Sequence, residues 1–293
     1  MNASDEAGEE VRRRMFRVEE AAPWRAFTSP RVLMYHFFGA PLSGRDPDHL
    51  FVTAENFRTN LGSLLDSGWR PVDLDSYLGW WAGDVRLPHK SFLLTIDDAH
   101  RSVVDLAAPI LSSFGIPSVL FVPSGLIGGA VCWSDDYARE RIATADELRR
   151  LPTTGMELGV HGFDHTRMVA LGPSELRRHT VDARLELERV TGVRARAFAY
   201  PYGTHDSVTR RGVAEAGYTV SFAVARERGS FARWRICVDG NDSQTAFRFK
   251  LTPTYAAASL LGGRAWRARH LVRDQVEAVR RATIAGTGRP RVR

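Results

Sequence analysis

Short apolar runs of strand length recur along the chain, and most of them end at a residue able to do chemistry. Arg31-Val32-Leu33-Met34-Tyr35 ends at His36, and Phe92-Leu93-Leu94-Thr95-Ile96 ends at Asp97-Asp98. Ser118–Val122 follows Pro117, and Met156–Val160 ends at His161. Residues 195–200 end at Pro201-Tyr202-Gly203, and two late runs cover 218–224 and 235–238. Runs this short, bounded by turn residues and rich in β-branched and aromatic side chains, predict buried strands.

Helical patterns fill the spaces between them. Thr53 can cap a helix, with Asn56 three residues on and Phe57, Leu61, Leu64 and Leu65 as its apolar stripe. A shorter helix follows from Leu74 to about Trp81. Val103, Leu106, Ala107, Ile110, Leu111 and Phe114 have helical spacing, and Gly115 closes that segment. Thr144-Ala145-Asp146-Glu147 opens a helix in the manner of a capping box. Leu176, Val181, Leu185, Leu187 and Val190 line a helix over 174–191 that Gly192 stops, and 207–217 reads as one more. Loops rich in Pro, Gly and Asp cover 40–52 and 123–142, the second with Trp133, Asp135 and Asp136. Strand and helix alternate without a repeat, linker or break in composition. The pattern predicts one α/β domain, a barrel with its active residues at strand C-termini, with a doubly wound open sheet as the alternative. The expected boundaries are a polar arm at 1–28, a catalytic domain at 29–260 and a basic helix and tail at 261–293.

Composition narrows the setting. The 293 residues can bury a large core, and no apolar run is long enough to span a membrane. The N-terminal twenty residues are charged throughout and show no secretory signal. Two cysteines, Cys132 and Cys237, make no disulfide framework and no zinc spacing. These features lead us to expect a cytoplasmic protein. Of the net charge of +6, residues 262–293 supply nine Arg against Asp274 and Glu277, so the remainder is near neutral. That tail lacks a nucleic-acid fold motif and interleaved aromatics, so nucleic acid is not an expected partner.

Two adjacent acids at the end of a buried strand are costly unless they are paired, protonated or bound to a cation. One of them alone could cap the next helix. His161-Gly162-Phe163-Asp164-His165 changes that picture. An Asp and two His, each at a strand end, make a facial metal site with open positions. His36 is a third histidine at a third strand end.

With Asp97-Asp98, His161/His165 and Pro201-Tyr202-Gly203 in that order, each after a strand, the sequence resembles the polysaccharide deacetylases, carbohydrate esterase family 4. The family's Thr-Phe-Asp-Asp-Gly stands here as Thr95-Ile96-Asp97-Asp98-Ala99. Its His-(Ser/Thr)-x-x-His stands as His161-Gly162-Phe163-Asp164-His165, and its Pro-Tyr-Gly as Pro201-Tyr202-Gly203. The likeness spans about residues 30–252. It implies a distorted (β/α) barrel and one divalent metal, usually Zn2+, held by Asp98, His161 and His165. It implies Asp97 as catalytic base. The backbone N–H of Tyr202 suits a developing oxyanion. In the branch resembling biofilm-polysaccharide deacetylases an early Tyr-His strand supplies the general acid, and Tyr35-His36 matches it.

The chain departs from the family in several places, and the late Leu-x-x-His motif of other branches is not evident. The Arg that precedes Pro-Tyr-Gly and orients the base is Ala199 here. Arg235, before a late strand, either substitutes for it or lies at the surface. Ala99 stands where glycine would allow a positive φ freely, and Ile96 replaces Phe. The expected activity is metal-dependent removal of an N-acetyl group from an N-acetylated sugar. The alternatives are an amidohydrolase acting on a small non-sugar amide or cyclic ureide, and a non-catalytic sugar-binding domain.

Overall fold

The computed structural model describes residues 30–224 and 231–259. The expected arm at 1–28 and tail at 261–293 lie outside the described residues. In chain order the first half holds β1 (Arg31–Tyr35), β2 (Phe37–Phe38), β3 (Phe51–Val52), α1 (Ala54–Asp66), β4 (Arg70–Pro71), α2 (Leu74–Ala82), β5 (Ser91–Ile96), α3 (Ala108–Phe114) and β6 (Ser118–Val122). The second half holds α4 (Ala145–Arg150), β7 (Met156–Val160), α5 (Pro173–Arg177), α6 (Ala183–Thr191), β8 (Ala197–Ala199), α7 (Ser207–Glu215), β9 (Val220–Ala223), β10 (Arg233–Trp234), β11 (Ile236–Cys237) and α8 (Gln244–Lys250). Several helix starts follow from their caps: Asn56 N–H donates to Thr53 Oγ1, and Thr144 with Glu147 closes a full capping box.

The strands form a nearly closed parallel barrel ringed by helices, in the order β10-β9-β8-β7-β6-β5-β1-β11, with β4 beside the start of β5. The barrel, and not the open sheet, is the architecture. Its two edge strands are consecutive in the chain. β10 pairs with β9 and β11 pairs with β1, and the single residue between them is Arg235. Backbone hydrogen bonds follow the crossing: Arg235 N–H donates to Ala223 O at 3.1 Å, and Val238 N–H to Met34 O at 2.9 Å. The chain thus bridges the seam covalently. Of the late strand expected over 235–238, only Ile236–Cys237 is strand; Arg235 is the crossing, and β10 just before it was not expected.

Side chains alternate between two cores, as the period of a strand requires. Leu94 and Ile96 of β5, Leu120 and Val122 of β6 and Phe198 of β8 face the helices. Leu93, Val119, Phe121, Ala197, Val220 and Phe222 fill the barrel. Leu74, Tyr77, Leu78 and Trp81 of α2 join that inner core. They close the barrel at the N-terminal ends of its strands, where the Arg233 guanidinium lies 3.7 Å over the Trp81 ring. The inward parity then continues upward past Leu93 to Thr95 and Asp97, past Gly159 to His161, and past Val32 to His36. An apolar floor therefore carries a polar layer at the strand C-termini.

Three features were not foreseen. β2 and β3 pair in a second, two-stranded parallel sheet. Helical segments include π-turns at Val103–Ala107 and Arg178–Asp182. Leu185, expected in an apolar stripe, is 50% exposed, whereas Leu187 is buried. Two residues apart on a helix are about 200° apart around its axis, so the two cannot share a face.

Gly159 fixes how closely β7 sits between its neighbours. A Cβ there would meet the Phe121 ring at 2.6 Å and Ala197 O at 2.9 Å. Gly159→Ala is therefore expected to cost about 1–3 kcal/mol by overpacking. Thermal unfolding should show a Tm lower by several degrees, at about 2–4 °C per kcal/mol for a domain of this size. An unchanged Tm would mean that β7 has room to shift.

Candidate metal centre

The β5 end is set by the ladder before chemistry enters. Asp97 N–H donates to Tyr35 O at 2.9 Å, which continues the β1–β5 register. Asp97 then points into the barrel, and the chain turns sharply through Asp98 (φ 71°) and Ala99 (φ 49°). Both are left-handed, a conformation that costs a non-glycine residue roughly 1–2 kcal/mol. Ala99 thus adopts the positive φ that glycine would take at no such cost. Neither acid caps a helix.

The β7 end delivers the histidines. His161 N–H donates to Val122 O at 2.8 Å, and the His161 ring Nδ1 lies 2.8 Å from Ala199 O. A carbonyl only accepts, so Nδ1 carries the proton and Nε2 presents its lone pair. That Nε2 is 3.3 Å from Asp98 Oδ1. His165, again left-handed at φ 63°, brings its own Nε2 to 3.2 Å from the same oxygen. Trp133 stacks on the His165 ring at 4.1 Å, and Tyr202 meets it edge-on at 4.6 Å. The Arg167 guanidinium lies 3.9 Å over the Tyr202 ring.

Asp98, His161 and His165 form a buried cluster in which one ligand atom of each lies within 4.8 Å of the others. Donor separations of 3.2 and 3.3 Å suit a tetrahedral ion, since metal–ligand bonds of about 2.0–2.1 Å put donors about 3.3 Å apart. Asp98 Oδ1 is buried and has no hydrogen-bond donor. Such an orphan is costly unless a cation satisfies it. The residues present fit a divalent metal.

Arg235 settles the fate of the second acid. It is 1% exposed and grips Asp97 with both arms, Nη1 to Oδ1 at 2.6 Å and Nη2 to Oδ2 at 2.7 Å, with Thr95 Oγ1 at 3.3 Å from Nη1. It is a buried residue, not a surface one. Burial pushes the Asp97 carboxyl up, but Arg235, followed by His161 and His36, holds it below the usual carboxylate range. Burial likewise opposes ionisation of Asp98, and the His165 and His161 imidazoles override it, so Asp98 lies well below that range. Burial lowers His165 despite Asp98 beside it, which favours the neutral, ligating ring.

The structure thus gathers Asp97, Asp98, His161, His165 and Arg235 at one end of the barrel. His36 sits half-buried at the β1–β2 junction, close enough for its charge to act on Asp97. Tyr202 lies against His165 with a left-handed backbone, φ 58° and ψ 7°. The sequence reading missed Trp133 and Arg167 as parts of the site. No spacing rule marks them, since Trp133 comes from a long loop and Arg167 acts through Tyr202.

Comparison with known proteins follows the same lines. Residues 84–221 match the family described as "Polysaccharide deacetylase". The chain is 21% identical over 221 residues to "Putative polysaccharide deacetylase YxkH" of Bacillus subtilis (strain 168), covering 74% of each. Among solved structures it is similar to the Streptococcus pyogenes deacetylase PplD in complex with acetate, with TM-score 0.65, 20% identity, and 76% of this chain and 98% of that one covered. It is also similar to IcaB from Ammonifex degensii, with TM-score 0.63, 23% identity, and coverage of 80% and 97%. At these identities the structural likenesses establish the fold alone.

Two outcomes are expected. Elemental analysis should find stoichiometric divalent metal in the purified protein and lose it in an Asp98→Ala/His161→Ala double variant; metal retained there would remove these residues from the site. Arg235→Met should cost about 3–5 kcal/mol, because it leaves the Asp97 charge buried and unpaired. Adding Asp97→Asn to it should recover part of that loss in denaturant unfolding, and strict additivity of the two losses would refute the coupling.

Proposed function

We propose that the protein is a metal-dependent hydrolase that removes the N-acetyl group from an N-acetylated sugar, a reading supported by the match of residues 84–221 to the family described as "Polysaccharide deacetylase". The observation that carries this reading is the juxtaposition of a clamped carboxylate, Asp97, with the Asp98/His161/His165 cluster. The acetate bound to the related S. pyogenes deacetylase supports it, because acetate is the acid that amide hydrolysis of an N-acetyl group releases. Family and fold together favour a carbohydrate over a small non-sugar amide, and the complete metal-ligand set and the buried Asp97 argue against a purely binding domain. Residues 29–260 would form the catalytic domain. The described residues include no helix long and apolar enough to cross a membrane.

Asp98, His161 and His165 would hold the ion, with zinc favoured by the two-imidazole, one-carboxylate donor set. When bound it would lower the pKa of a water and polarise the amide carbonyl. The chain's own groups do the rest. Asp97 stays ionised because Arg235 faces it, and a carboxylate has about four lone-pair sites, so the bidentate grip leaves acceptors for the proton of the attacking water. Arg235 fixes which way those acceptors point. The backbone N–H of Tyr202 would donate to the oxyanion as the carbonyl becomes tetrahedral. His36 would protonate the amine as the carbon–nitrogen bond breaks, since an amine leaves poorly as an anion.

The test is acetate release from a panel of N-acetylated sugars. Asp97→Asn should keep its metal and lose about 10²–10⁴-fold in turnover; near-normal turnover would make Asp97 structural. His36→Ala should lose kcat on the amide but much less on an activated acetate ester, whose leaving group needs no proton. Equal losses on both would mean that His36 positions the substrate or the fold.

A further inference from the structure

The helix that runs from α5 into α6 passes through the π-turn at Arg178–Asp182. Such turns are rare, occur inside α-helices and are frequent at functional sites. This one is held in place. The buried Tyr218 hydroxyl donates to Thr180 O at 2.9 Å, and the Thr180 hydroxyl donates to Leu176 O at 2.8 Å.

The turn sends two consecutive side chains, Arg178 and His179, to one target, the loop 161–165 between the two histidines. On a regular helix, neighbours in sequence point about 100° apart around the axis. Here Phe163 N–H donates to His179 Nδ1 at 3.2 Å. The Arg178 guanidinium lies 4.6 Å over the Phe163 ring and pairs with Asp164 at 3.3 Å. His179 is 1% exposed, and its Nδ1 must be unprotonated to accept. Its Nε2 then faces Asp164 and Glu175, at 3.7 and 3.9 Å. Asp164 also accepts from the Thr166 hydroxyl at 2.6 Å.

The loop needs such support. It turns through positive φ at Gly162 (72°) and at His165 (63°). Gly162 takes its positive φ freely, but His165 does not, and a loop strained there relaxes unless it is held, so that the two imidazoles lose their common aim at Asp98. Their contacts with the loop are to Phe163 and Asp164, and through these they act on the centre.

We propose that the π-turn is a positioning device for the metal centre: Arg178 and His179 hold the 161–165 loop in the conformation that points both imidazoles at Asp98, and so set the affinity for a divalent cation. The inference rests on the metal-site reading above. The experiment is competition for Zn2+ between the metal-stripped protein and a chromophoric chelator, together with the unfolding temperature of the metal-free proteins. Partners behind ligands are typically worth 10–100-fold in affinity, so His179→Leu should weaken Zn2+ binding by about that factor. His179→Asn, whose side-chain oxygen can accept from Phe163 N–H, should return to within about 3-fold of the parent. Arg178→Ala, at a half-exposed side chain, should weaken binding in the same direction by a smaller factor. A parent protein that binds no Zn2+ would overturn the metal-site reading and this inference together. A parent that binds, with variants that bind equally well, would overturn this inference alone. So would a His179→Leu protein whose metal-free unfolding temperature falls while the folded protein keeps the parental affinity. Should His179→Leu not fold, Arg178→Ala and His179→Asn decide: unchanged affinity in the first, or a large loss in the second, overturns the proposal.

Discussion

Two carboxylates side by side inside a barrel impose the constraint that the rest of this structure answers. Asp97 and Asp98 are both about 2% exposed, and an isolated buried carboxylate is too costly to remain charged. Each acid receives its own compensation. Asp97 has the bidentate Arg235, and Asp98 has two imidazoles and an orphan oxygen suited to a cation. Arg235 is also the residue at which the chain crosses the barrel seam. Closing the barrel and neutralising Asp97 are therefore coupled, and a register error at the seam would leave a charge buried on each side. Ion pairs of this kind are weak sources of net stability but strong penalties against misassembly.

Backbone strain gathers at the same end. Asp98, Ala99, His165 and Tyr202 are four of the six non-glycine residues with positive φ among the described residues. Such conformations persist only where surrounding contacts over-determine them. The contacts are identifiable. Ala143 N–H donates to Ala99 O at 2.9 Å, Trp133 covers the His165 ring, and Arg167 covers Tyr202. The apolar floor of Leu93, Val119, Phe121 and Phe222 keeps the polar layer from sinking, and the Phe121 ring lies 5.5 Å below the Arg235 guanidinium.

The polar layer was legible where a buried strand ended in a chemically able residue. Apolar runs of strand length placed His36, Asp97 and His161 at strand ends, and caps such as Thr53 and Thr144 gave helix starts almost to the residue. Arg235 was only half legible. It precedes a strand of two residues, and its partner lies 138 positions away in sequence. A contact at that range leaves no local periodicity. The π-turn at Arg178–Asp182 was invisible for a different reason: the Tyr218 hydroxyl bonded to Thr180 O comes from a distant segment, while the local sequence reads as ordinary helix. Leu185 falls off the apolar stripe because it lies about 200° around the helix from the buried Leu187.

The position of Arg235 also accounts for how the chain does without an arginine at Ala199. In the barrel order, β11 is two strands from β5 by way of β1, whereas β8 is three strands away by way of β6 and β7. At about 4.8 Å per strand, that is about 10 Å against about 14 Å around the wall. The late strand is the shorter reach to Asp97. It also approaches from the opposite flank. Arg235 and His36 come to Asp97 from the β11–β1 side, and the His161 Nε2 comes from the β7 side, 3.8 Å from Asp97 Oδ2. Guanidinium and imidazole therefore reach Asp97 from different flanks. One flank holds Asp97 and keeps it charged, and the other is left to the Asp98/His161/His165 cluster.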